Sequence, residues 1–185
     1  MQADSAPPGE ISDLVTVVDT LCKTPRVGWL QRGASDPESI CAHILLTALL
    51  AGEVAVRLSA EGVDVDVDGV IAAAVVHDLA EAALGHPARS VRERLRWEDL
   101  EEEVFRREFP HLLELFKQYR YETDLTGRIV AFADKLATLV RACRYRRYGY
   151  ATDDLIKSLY RKLAAYEEFS HILSEYVSRY CGSVS

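Results

Sequence analysis

The sequence predicts an all-α fold, a compact helical bundle, on three observations. Apolar residues recur at three- and four-residue intervals along most of the chain, the spacing of a helix with one buried face. No stretch reads convincingly as a strand, and there is neither an internal repeat nor a low-complexity tract. The helical stretches are separated by short segments rich in Pro, Gly and Asp, residues that stop, cap or bend helices. At 185 residues the chain is long enough to bury a full core as one domain.

Residues 1–9 are short, polar and Pro-rich. They are expected to be a disordered tail, with the domain spanning 10–182. Ile11, Leu14, Val15, Val18 and Leu21 set the first helix. The segment Lys23–Gly33 holds Pro25, Gly28 and Gly33 beside Arg26, Trp29 and Arg32. It reads as an irregular loop of the kind that lines binding sites. A second helix starts near Pro37-Glu38-Ser39 and runs through His43 to about Leu58. The acid–valine alternation from Glu61 to Asp68 is short and lies between helices, so it reads as a linker. Asp68 is the expected cap of a third helix that runs through His77-Asp78 to Leu84 and stops at Gly85.

From Arg89 to Phe109 the chain is heavily charged around an apolar seam of Leu95, Leu100, Val104 and Phe105. That pattern gives a helix with a wet face, on which Glu98, Glu101, Glu102 and Glu103 are expected in solvent. Pro110 breaks it, and a short helix follows to about Tyr119. Asp124 or Thr126 caps a long helix with Ile129, Val130, Phe132, Leu136, Leu139 and Val140 on its core face, ended by Gly149. Arg141, Arg144, Arg146 and Arg147 suit the negative end of that helix's dipole. A last helix is expected over 153–180.

Composition narrows the function. The formal net charge is −7, with no basic excess to neutralise the phosphates of a nucleic-acid polymer. The four cysteines, Cys22, Cys41, Cys143 and Cys181, form no CxxC pair and read as buried or inert thiols in a reducing cytosol. The start of the chain has no basic and apolar leader, and no run of ~20 apolar residues is expected to span a membrane. A cytoplasmic protein is the expectation.

The chemistry gathers in His77-Asp78-Leu79-Ala80-Glu81-Ala82-Ala83-Leu84-Gly85-His86, which ends the apolar run Val70–Val76. Polar groups at the end of a buried helix cost free energy unless each finds a partner. A divalent cation is such a partner, since imidazole nitrogen and carboxylate oxygen both ligate it. On a continuous helix Glu81, three and four residues on, shares their face. His43 and Asp134 are the two other candidates, each a polar group on an apolar helix.

Four stretches together, Pro25-Arg26-Val27-Gly28-Trp29, Glu38-Ser39-Ile40-Cys41-Ala42-His43, His77-Asp78-Leu79-Ala80-Glu81-Ala82 and Ala133-Asp134-Lys135-Leu136, resemble the HD hydrolase superfamily. The resemblance is to its 5′-deoxynucleotidase-type branch. It implies a helical bundle of the HD-domain type and a metal-dependent phosphohydrolase that releases phosphate from a nucleotide or nucleotide-like phosphomonoester. By this resemblance His43, His77, Asp78 and Asp134 hold one divalent metal ion, Mn, Co, Fe, Ni, Zn or Mg. Glu81 is the general acid/base and Arg26 the phosphate-binding arginine, whose planar fork matches phosphate oxygens. Trp29 either packs on the substrate or supports Arg26. A homodimer is implied too. The branch usually carries aspartate after the glycine that follows the Glu-containing turn, but here Gly85 is followed by His86. His86 therefore joins the substrate-binding candidates and points to a changed sugar or more than one phosphate. Two other readings stay open. A two-metal phosphodiesterase or oxygenase of the same superfamily would need extra histidine ligands, for which only His86 and His111 are available. The other is an inactive binding module.

Overall fold

The computed structural model describes residues 13–182. The expected tail 1–9 and the helical position Ile11 lie outside the described residues. In chain order the helices are α1 (Leu14–Lys23), α2 (Val27–Leu30), α3 (Ile40–Ala60), α4 (Val67–Val76), α5 (Glu81–Leu84), α6 (Arg89–Arg92), α7 (Trp97–Glu108), α8 (Leu113–Tyr121), α9 (Leu125–Arg147), α10 (Asp153–Leu163) and α11 (Ser170–Tyr180). Among the described residues the only extended pairing is an isolated bridge between Pro25 and Ser39. The fold is all-α.

Helix α9 is central because it is apolar on nearly every side. Ile129, Val130, Phe132, Leu136, Leu139 and Val140 are buried, as are Ala131, Ala133, Ala137 and Ala142. It packs against α3, α4, α8, α10 and α11. Asp124 starts it by accepting the Gly127 amide at 2.8 Å, which satisfies one of the free N–H groups of the first turn. Gly127 itself sits under the end of α8, where a Cβ would come 1.9 Å from the Gln118 carbonyl oxygen. Backbone cannot yield there as a side-chain tip can. Gly127→Ala is therefore expected to destabilise the fold by about 3 kcal/mol, and a thermal melt within a degree of wild type would contradict that close approach.

Several boundaries differ from the sequence reading. A helical turn, α2, lies inside the expected irregular loop. Asp66, not Asp68, caps α4, accepting the Gly69 amide at 3.0 Å. Asp68 then stands in the first turn, where its charge suits the helix dipole. Of the expected seam, Val104 and Phe105 are buried, while Leu95, which lies before the start of α7 at Trp97, and Leu100 are exposed. The buried stripe of α7 is Trp97, Glu101, Val104 and Phe105. Glu101, expected in solvent, is held inside by Trp97 Nε1 at 2.8 Å and Arg120 at 2.9 Å. Burial pushes its carboxyl up to about 7. The expected last helix is broken into α10 and α11 around Tyr166 and Phe169, both buried with ring centroids 5.7 and 4.9 Å from Phe132. Inserting two aromatic rings into the core outweighs the helical pattern.

Arg144, Arg146 and Arg147 stand in the last turn of α9 as expected, and Arg146 and Arg147 also donate to the carbonyls of Cys181 and Tyr180 at the end of α11. The cysteines, expected as buried or inert thiols, are brought together as two disulfide pairs. Cys22 joins Cys41 across α1 and α3 with 4.7 Å between Cα atoms, and Cys143 joins Cys181 across α9 and the end of α11 with 5.0 Å. Against the expectation that no segment is apolar enough, α3 has the length and composition to cross a membrane. Half of its apolar stretch is buried in the protein, where α3 packs on α4 and α9.

Candidate metal centre

Helix α4 buries Val70, Ala73, Ala74 and Val76 and so delivers its C-terminus into the interior. It stops at Val76, and His77–Ala80 continue as turns with i→i+3 bonds from Leu79 to Val76 and from Glu81 to Asp78, at 3.1 and 3.0 Å. The expected continuous helix to Leu84 is thus broken at the His-Asp doublet. Three-residue turns stack positions i and i+3 on one another, and Asp78 and Glu81 hold that relation.

His77 Nδ1 bonds the Ala74 carbonyl at 2.7 Å. A carbonyl only accepts, so the hydrogen sits on Nδ1. Nε2 is buried, 3.2 Å from Asp78 Oδ2 but without hydrogen-bond alignment, and has no other partner. From α3, His43 enters fully buried, its ring 5.4 Å from that of His77. Ligand atoms of His43, His77 and Asp78 lie within 4.8 Å of one another. Asp134, from α9, joins through His43: its Oδ1 is 3.0 Å from His43 Nε2, and its Oδ2 accepts the Tyr119 hydroxyl at 3.2 Å.

Arg26 is placed by backbone. Its amide bonds the Glu38 carbonyl at 2.9 Å and the Ile40 amide bonds the Thr24 carbonyl at 3.0 Å, which fastens this strand-like segment to the start of α3. The guanidinium Nη1 then lies 3.0 Å from His43 Nδ1, 3.2 Å from Thr138 Oγ1 and 3.5 Å from Glu38 Oε2. Buried Glu38 also accepts Trp29 Nε1 at 3.1 Å and Arg141 at 2.9 Å. Trp29 is 2% exposed and packs edge-on to Tyr145, so its fixed contacts support the arginine, although it also lines the adjoining cavity. Arginine can only donate. His43 Nδ1 is therefore an acceptor, and Nε2 carries the hydrogen given to Asp134.

Glu81 is 1% exposed. His86 Nδ1 lies 2.8 and 3.0 Å from its two oxygens, and Arg92 reaches it at 3.4 Å. Burial, reinforced by the Asp78 charge, holds the Glu81 carboxyl well above its ordinary range. Burial, with Arg26 and Arg92 nearby, pushes His86 down to about 4. Neutral glutamic acid facing neutral imidazole is the arrangement that follows, with one proton between them. Burial would also raise Asp78 and Asp134, but the imidazoles beside them hold both carboxyls well below the usual range. Burial works against a charged His77, yet Asp78 lifts it to about 9.

Two imidazoles, two ionised carboxylates and an unpartnered buried Nε2 turned towards them fit a divalent cation. The Ala74 carbonyl on the far nitrogen of His77 is the outer contact that orients a ligating histidine. The structure brings His43, His77 and Asp78 together, with Asp134, Arg26, Glu81 and His86 adjoining. It adds Tyr119, Glu38, Thr138 and Arg92. Of these Glu38 stood inside a quoted stretch, but only as a helix start. His111 is exposed on a turn and His86 is tied to Glu81, so neither offers the extra ligands a two-metal centre needs.

The HD-domain family matches residues 18–173. The bovine and zebrafish (Danio rerio) proteins named 5′-deoxynucleotidase HDDC2 are each 27% identical over 70% of this chain, and the matches span 64% and 66% of their length, a little under two thirds. The 5′-deoxynucleotidase hdd1 of Schizosaccharomyces pombe is 26% identical over 77% of both chains. Among solved structures, a conserved hypothetical protein from Pyrococcus furiosus superimposes with a TM-score of 0.83 at 30% identity, covering 90% of this chain and 96% of that one. The PH0347 protein from Pyrococcus horikoshii gives 0.84 at 29%, covering 92% and 98%.

Proposed function

Because this chain belongs to the HD-domain family, we propose that it is a metal-dependent phosphohydrolase. Its substrate is a nucleotide or nucleotide-like phosphomonoester. The observation that carries this reading is His77 Nε2, buried without a hydrogen-bond partner and facing His43 and Asp78. The name 5′-deoxynucleotidase borne by the bovine, zebrafish and yeast relatives supports the substrate class.

His43, His77, Asp78 and Asp134 would hold one divalent cation. Bound there, such an ion lowers the pKa of a water and neutralises phosphoryl charge. The rest of the chemistry belongs to the chain. Arg26 Nε is buried and unpartnered, and the guanidinium faces the cavity, where it would take two phosphoryl oxygens. Its present bond to His43 Nδ1 requires the hydrogen on Nε2. Ligation through Nε2 would need it on Nδ1, so His43 holding an ion would no longer accept from Arg26, whose guanidinium would be free for phosphate. Glu81, holding a proton in its buried setting, would give it to the leaving oxygen and recover one from the attacking water. His86, on the same carboxyl, is the partner that keeps this proton in place.

A release assay for inorganic phosphate tests the reading. Mn2+-, Co2+- or Mg2+-loaded protein is expected to release phosphate from at least one member of a panel of common and sugar-modified nucleotides. A silent panel with every metal would overturn it.

A further inference from the structure

The cavity beside Arg26, about 300 Å³ in volume, is more cationic than one phosphoryl group requires. Its wall holds four arginines, Arg26, Arg32, Arg89 and Arg92, against one carboxylate, Asp154. This crowding occurs in a chain of net charge −7. Like charges gathered around one concavity repel, and an anion held among them relieves that cost.

The four run from floor to rim. Side-chain exposure rises from 11% at Arg26 to 23% at Arg32, 30% at Arg92 and 65% at Arg89. Arg26, at the floor, touches His43 and is the one next to the candidate ligands. The outer three are only partly engaged by protein. Arg32 bonds Asp154 at 2.9 Å and the Gly28 carbonyl at 3.3 Å, but its buried Nε has no partner. Arg92 reaches Glu81 at a long 3.4 Å and lies 5.9 Å from the Trp97 ring centre. Arg89 pairs with Glu93, which is itself largely in solvent, a contact worth little. Guanidinium donors with spare N–H groups, at successive depths of one cavity, match an anion longer than a single phosphate.

We propose that Arg32, Arg89 and Arg92 form a second anion subsite, which takes a further phosphate of the same small molecule whose first phosphate meets Arg26. The substrate class is then a nucleotide-like molecule with at least two phosphates, either adjacent in a chain or on opposite ends. This rests on the phosphohydrolase reading above, and binding tests it separately from turnover.

Calorimetric titration of the full chain at fixed free Mg2+ compares two pairs of probes. Orthophosphate is set against methylenediphosphonate, whose two phosphorus groups are adjacent. Adenosine 5′-monophosphate is set against adenosine 3′,5′-bisphosphate, whose phosphates are apart. At least one two-phosphate probe is expected to bind tenfold or more tighter than its partner at one site per chain, and the winning pair identifies the spacing. The double variant Arg32→Gln, Arg89→Gln is expected to cut that advantage below threefold, while Arg147→Gln, which removes a charge at the far end of α9, leaves it intact. Equal affinity within each pair overturns the subsite and leaves phosphate hydrolysis standing. An advantage that survives in the double variant overturns the assignment to these arginines. Binding of none of the four probes overturns both.

Discussion

Asp78→Asn is expected to abolish phosphate release, by about a thousandfold or more in kcat/KM, a barrier increase of about 4 kcal/mol. The side chain is buried and its carboxylate is held ionised by His77. Asparagine keeps the shape and one oxygen, but removes the charge that offsets a dication. His77 Nε2 and the residue-78 oxygen then face an uncompensated pocket, and a cation placed there would lose both charge balance and a strong ligand. The expected result has two parts, measured on the same sample: elemental analysis finds the divalent ion lost from the variant, and turnover falls with it. A variant that keeps one ion per chain and most of its activity would contradict a ligand role for Asp78.

Glu81→Gln separates proton handling from metal binding. Its carboxyl is buried at 1% exposure and bonded to His86 rather than to His43, His77 or Asp134. The amide can still pair with His86 and Arg92, so folding and ion content are expected to match wild type. What is lost is a group able to give and take a proton, worth about a hundred- to ten-thousandfold. The fall should appear in kcat, with KM changed little, because Arg26 still binds phosphate. A drop confined to KM would make Glu81 a binding group instead.

The fold class was legible because period and punctuation agreed. Cap residues such as Asp124 marked helix starts, and the helical spacing of α9 marked the core. What failed was local and had tertiary causes. The His77–Ala80 turns read as helix because Val70–Leu84 is apolar enough for either, and only the packing of α4 against α3, α8 and α9 sets the break. Glu101 carries the signature of a solvated residue, and nothing near it in sequence announces that Arg120, on another helix, will meet it inside. The disulfide partners are 19 and 38 residues apart, a pairing that spacing alone does not select.

The candidate site was legible to the extent that its residues are unusual for their setting. His43, His77, Asp78 and Asp134 stand out as polar groups on apolar helices. Tyr119 does not, since an aromatic residue near the end of a short helix reads as core. Its hydroxyl bond to Asp134 is a product of how α8 crosses α9. The four arginines of the cavity are likewise scattered from position 26 to 92 and acquire a common purpose only in three dimensions.

The most direct measurement is anomalous X-ray scattering from crystals of the chain loaded with Mn2+. One peak per chain is expected, within direct ligating reach of His43 Nε2, His77 Nε2 and carboxylate oxygens of Asp78 and Asp134, with Arg26 turned away from His43. A peak elsewhere, two peaks in the site, or none after loading would contradict a single cation held by these four side chains.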